Sequence, residues 1–66
     1  SPERLDEVLA PLEARLGALA VDRAAGLPAS RSALERFAVE ARSAGCGALA
    51  LRAEQLAGGA PLPPAR

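Results

Sequence analysis

The sequence predicts an all-α fold, an antiparallel helical hairpin that assembles into a dimeric helical bundle. Leucines recur at intervals of three and four residues in the first third of the chain, which is the spacing of a helix face. A turn containing glycine and proline then separates this segment from a second long run of helix-forming residues. With 66 residues, the chain is near the size at which only about 60% of the unfolded surface can be buried. Association with another chain is therefore expected.

The first helix is predicted to begin at "SPERLDEV". Ser1 can cap the helix, Pro2 suits its first turn, and acids such as Glu7 are favoured near its positive end. Pro11 interrupts the helix without changing the phase of the leucine stripe, which predicts one kinked helix rather than two. The stripe consists of Leu5, Val8, Leu9, Leu12, Leu16 and Leu19.

A tight turn is predicted at residues 26–29 of "DRAAGLPAS". Gly26 can adopt the left-handed conformation that ends many helices, and the proline that follows prevents easy continuation. Either Ser30 or Ser32 is expected to cap the second helix, and Ser32 with Glu35 has the spacing of a capping box. Such a short connection makes the two helices antiparallel neighbours.

The second helix is predicted to run from about Ser30 toward Ala57. Small residues make up much of its apolar side. If the helix is unbroken, Arg52 falls inside that side. The members of the apolar side are Leu34, Phe37, Ala38, Ala41, Gly45, Ala48, Leu49 and Leu56. Along this helix, Arg31 with Glu35 and Arg36 with Glu40 have the spacing of ion pairs.

Two glycines in "AGCGAL" leave the continuity of this helix open. In a continuous helix, Gly45 would lie on the inner face and allow another backbone to come close. Two interior glycines, however, cost a helix about 2 kcal/mol relative to alanine. A break that gives a third helix from about Gly47 to Ala57 is the alternative.

The chain divides into a helical interaction domain, residues 1–57, and a tail or linker rich in proline and glycine, residues 58–66. The tail contains "PLPPAR" at residues 61–66, which resembles class II ligands of SH3 domains. A chain rich in alanine, proline and arginine produces this pattern easily. The linker interpretation is therefore preferred, and SH3-type binding of the tail is not expected.

The composition argues against catalysis and against cofactors. The chain has no histidine, lysine or tyrosine and a single cysteine, so it lacks the side chain that most often acts as a general base and has too few ligands for a structural zinc site. Cys46 is expected to pack as a small hydrophobic residue rather than act as a reactive thiol. We therefore expect a protein that is not an enzyme and that binds no cofactor or metal.

The charge pattern also excludes several partners. The formal net charge is zero and the acids and bases alternate, which argues against nucleic-acid binding. Runs of about 18 apolar residues and a secretory signal pattern are both missing, so we expect neither membrane insertion nor export. The expected location is the cytoplasm.

A hairpin of two helices leaves about half of each apolar stripe uncovered. The sequence therefore predicts contact with a second copy of the chain, with a helix of a partner protein, or with both. The predicted partner or dimer interface is Leu5, Val8, Leu9, Leu12, Leu16, Leu19, Leu34, Phe37, Gly45, Leu49 and Leu56.

The pattern "ERLDEVLAPLEARLGAL", followed by a turn and "ALERFAVEAR", resembles the C-terminal docking or dimerisation segments of bacterial modular polyketide synthases. The resemblance covers residues 3–42 and implies a dimeric helical bundle through which one synthase polypeptide recognises the next. The exclusive use of arginine as the basic residue is typical of a bacterium with a GC-rich genome. By size and shape, the chain also resembles the small hairpin chaperones of bacterial secretion systems, which cover an amphipathic helix of their substrate.

Overall fold

A computed structural model of the chain describes residues 2–58, and it describes side chains from Glu7 onward. The described residues form three helices without a strand: α1 (Pro2–Ala24), α2 (Ser30–Ser43) and α3 (Gly47–Gly58). The all-α prediction is confirmed. The boundary to the predicted tail lies at the end of α3, and the "PLPPAR" segment lies outside the described residues.

The first helix runs without interruption through Pro11, as the phase of the leucine stripe predicts. Pro11 is exposed, so the missing N–H group and the proline ring face away from the core. Leu12 and Leu16 are buried, while Leu9 and Leu19 pack against the core and remain partly exposed. The stripe is therefore the inner face of α1.

The end of α1 at Gly26 confirms the predicted left-handed turn. Gly26 has a φ of 79° and donates its N–H to the carbonyl of Arg23 at 3.0 Å. Leu27 donates its N–H to the carbonyl of Asp22 at 3.1 Å. This pair of bonds is the Schellman motif, which satisfies carbonyls that the helix end would leave unpaired.

The predicted capping of the second helix is wrong in its details. Ala29 occupies the cap position and makes no side-chain cap hydrogen bond. Ser30 is already helical, and its hydroxyl donates to the carbonyl of Leu27 at 2.7 Å. Ser32 lies inside the helix, so the capping box with Glu35 does not form, because the chain enters the helix directly from the turn.

The second helix ends at Ser43, so the prediction of one continuous helix from Ser30 to Ala57 is wrong. Gly45 has a φ of 84° and donates its N–H to the carbonyl of Arg42 at 3.0 Å, while Cys46 donates to Ala41 at 2.8 Å. These bonds form a second Schellman motif. The three-helix alternative is the one the structure adopts.

Gly45 therefore has a conformational role rather than a packing role. It is exposed, and a Cβ atom added to it would meet no atom within 4 Å. The expectation that it lets another backbone approach within the chain is wrong. What this position needs is the positive φ angle, which glycine adopts without strain.

The break shifts the phase of the residues that follow. Ala48, placed on the inner face of a continuous helix, is exposed because α3 starts in a new orientation. Arg52 is also exposed, so the reorientation removes the charged residue from the apolar side. The inner face of α3 instead consists of Leu49, Ala50, Ala53 and Ala57.

The core lies where the three helices meet. Leu34 and Phe37 are fully buried, and burial of such a side chain contributes about 1.5–3 kcal/mol to stability. Alanines on the facing sides of α2 and α3 allow these two helices to pack closely. The buried set is Leu12, Leu16, Leu34, Phe37, Ala38, Ala41, Cys46, Leu49, Ala50, Ala53 and Ala57.

Two arginines fix the position of α3. Arg42 of α2 donates to Glu54 of α3 at 2.7 and 3.3 Å. Arg23 of α1 donates to the carbonyls of Leu56 and Ala57 at 3.1 and 3.3 Å. A cation is favoured at this helix end, where carbonyls are unpaired. The C-terminal end of α3 therefore lies beside the C-terminal end of α1.

Replacing Gly45 by alanine should destabilise the fold, because a side chain at a φ of 84° is strained by about 1 kcal/mol or more. Urea unfolding followed by circular dichroism measures the change. The matched control is Gly47→Ala, which lies in α3 with open space around it and no positive φ. An equal loss of stability in both variants would contradict this role of Gly45.

Candidate interaction surface

The contacts of Arg15 mark the register of α1 against α2. Its guanidinium makes two hydrogen bonds to the carboxylate of Glu40, at 3.1 and 2.9 Å. It also lies 5.3 Å from the centre of the Phe37 ring, where a cation is attracted by the aromatic face. The short connection between the helices makes them antiparallel, so Arg15 and Glu40 lie at the same level of the bundle.

This register leaves the N-terminal part of α1 without a neighbour on α2. From the level of Arg15 and Glu40, three residues along α2 lead to Ser43, its last residue. The residue of α1 at that level is Leu12. Residues 2–11, called here the N-terminal extension, therefore lie beyond the end of α2.

The extension carries apolar side chains on the continuation of the inner stripe. Val8 is 41% exposed, and Leu9 is partly buried against the core. Leu5 belongs to the same predicted stripe, but its side chain lies outside the described ones. The described stripe therefore becomes progressively less covered toward the start of α1.

A shallow cleft of ≈ 260 Å³ lies between α1 and α2, past Leu12 toward the C-terminal end of α1. Apolar atoms of Ala18, Leu19 and Ala33 form part of its surface, and charged side chains border it. We call it the α1–α2 cleft. Its residues are Arg15, Ala18, Leu19, Ala33, Arg36 and Glu40.

Other apolar side chains are exposed on the outer faces of the bundle. Val39 of α2 is 66% exposed and Leu51 of α3 is 52% exposed. Val21 and Leu27, near the end of α1, are also exposed. Single exposed apolar residues are common on soluble proteins and do not by themselves mark a binding site.

The residues of the predicted interface fall into three groups in the structure. Val8 is accessible, and Gly45 is accessible at the break. Leu9, Leu19 and Leu56 are partly buried. The others with described side chains belong to the core of this chain, and they are Leu12, Leu16, Leu34, Phe37 and Leu49.

Two residues of the cleft are ones that the sequence pattern did not single out. Ala18 and Ala33 lie outside both predicted stripes, and Arg36 was expected to pair with Glu40 along the helix. That pair does not form, because Glu40 turns toward Arg15 instead. The pair of Arg31 with Glu35 does form, at 3.7 Å.

The ion pairs between helices alter the titration of their carboxylates. The hydrogen bonds from Arg15, followed by its charge, hold the pKa of Glu40 below the usual value. The hydrogen bonds from Arg42 lower the pKa of Glu54 in the same way. Both pairs are about half exposed, so each contributes modestly to stability and salt weakens it.

Cys46 is 7% exposed and free. It follows Gly45 in the second Schellman motif, where a hydrophobic residue commonly packs back on the preceding helix. Its sulfur lies 4.0 Å from the carbonyl oxygen of Ala44. The burial agrees with the expectation that this cysteine packs as a small hydrophobic residue.

Among the described side chains, those of residues 7–58, three or more histidine, cysteine or acidic groups never come together as a metal-binding group. None of the three described helices combines the length and the hydropathy that a membrane span requires. Every buried side-chain nitrogen and oxygen of the described part has a hydrogen-bond partner.

Comparison with known protein families, characterised proteins and solved structures finds no match to this chain.

The contribution of Glu40 to stability should depend on pH. Because the pKa of Glu40 is lower in the folded state, the stabilisation is present above the usual glutamate pKa of about 4.3 and is lost as the pH falls through the folded value. Glu40→Gln should therefore lower the melting temperature at about pH 7 and have a smaller effect at about pH 3.

The control for this experiment is Glu13→Gln, which removes an exposed carboxylate of α1 that forms no ion pair with the described side chains. Thermal unfolding followed by circular dichroism across the pH range gives both curves. A Glu40→Gln effect that stays constant from neutral to acid pH would contradict the assignment.

Proposed function

We propose that the chain is a protein–protein interaction module that docks an amphipathic helix on the N-terminal extension of α1 and on the α1–α2 cleft further along the same helix. The observation that carries the proposal is the length of α1 relative to α2. The inner stripe of α1 continues past Ser43, the last residue of α2, and Val8 remains 41% exposed there. A helix from outside would cover this part of the stripe.

The surface has the chemistry of helix recognition in a groove. Apolar anchors at helical spacing supply most of the affinity in this mode of binding. Val8 and the small side chains of the cleft supply the apolar contact, and Arg36 borders the cleft. An arginine at such a rim favours a partner with an acidic residue next to its apolar face.

A binding role agrees better with the charged groups than a catalytic one. The carboxylates with altered pKa values, Glu40 and Glu54, are both held by arginines of a neighbouring helix. Such cross-helix pairs position the helices. Glu40 borders the cleft, but its carboxylate is held by Arg15, whereas catalysis would require an acid or a base that is free to exchange a proton with a substrate.

The resemblance of residues 3–42 to docking segments suggests a specific form of this function. We propose that the module joins subunits of a multienzyme such as a bacterial polyketide synthase. A cytoplasmic location suits that role, and the free thiol of Cys46 is common in a reducing compartment.

Val8→Asp should weaken docking by about tenfold or more, equivalent to about 1.4 kcal/mol, because a charge would have to be buried at the contact. Two readouts apply. One is the dependence of the melting temperature on protein concentration, which reveals self-association. The other is fluorescence anisotropy with a labelled synthetic peptide that forms a leucine-faced amphipathic helix.

The control is Val21→Asp, the same substitution at another exposed position of α1. It should leave both readouts and the helical circular dichroism signal unchanged. If the wild-type chain neither self-associates nor binds the peptide at several hundred micromolar, the docking function is wrong. A chain that folds only when the peptide is present would indicate the chaperone-like alternative instead.

A further inference from the structure

We draw no further inference here: the strongest candidate, the α1–α2 cleft with Arg36 at its border, belongs to the docking surface already described, and nothing in the structure shows what covers it.

Discussion

The positive φ angle of Gly45 is the constraint on which the rest of the fold depends. If the backbone stayed helical through this residue, α2 and α3 would form one rod, and Arg52 would lie on its apolar side. The left-handed turn instead folds α3 back along α2, so that Ala50 and Ala53 become fully buried. A chain of this size needs that third helix, because two helices alone leave too much apolar surface exposed.

With three helices in place, arginines connect each pair. Arg15 links α1 to α2, Arg42 links α2 to α3, and Arg23 links α1 to the last carbonyls of α3. The ion pairs of Arg15 and Arg42 are about half exposed, so their individual contributions are small. Their common effect is on register, since each bond forms only when two helices lie at the correct level. The register in turn leaves the extension uncovered and opens the cleft.

Local signals explain which parts of the fold are predictable from the sequence. The stripe of α1 and the turn at Gly26 depend on nearby residues, and the structure agrees with both predictions. Gly45 was misassigned to the inner face, although "RSAGC" at residues 42–46 repeats the pattern of "RAAGL" at residues 23–27. Both segments end a helix with a left-handed glycine followed by a hydrophobic residue. The similarity of these two pentapeptides is the sequence signal that predicts the end of α2.

Features that depend on distant residues were not predictable in this way. The choice of Glu40 between Arg36 on its own helix and Arg15 on another depends on how the helices pack. The cleft has the same origin, because Ala18 and Ala33 become neighbours only once the register is set. Val8 was identified as a member of the stripe, but its exposure follows from where α2 ends. The candidate site was therefore only partly predictable, since its apolar residues come from a local pattern and its shape comes from tertiary structure.

The helical structure of the extension and the contacts it makes depend on each other. The extension continues a helix that the bundle already nucleates, so it needs no nucleus of its own, but Val8, Ala10 and Pro11 are exposed and add little packing to its hydrogen bonds. Pro11 adds to this difficulty, since it removes a hydrogen bond at the junction between the extension and the bundle. A helix that packs on Val8 would supply contacts where α1 has few of its own, so docking and helix formation in this segment should reinforce each other. If the proposed docking takes place, the extension is most stable in the bound state.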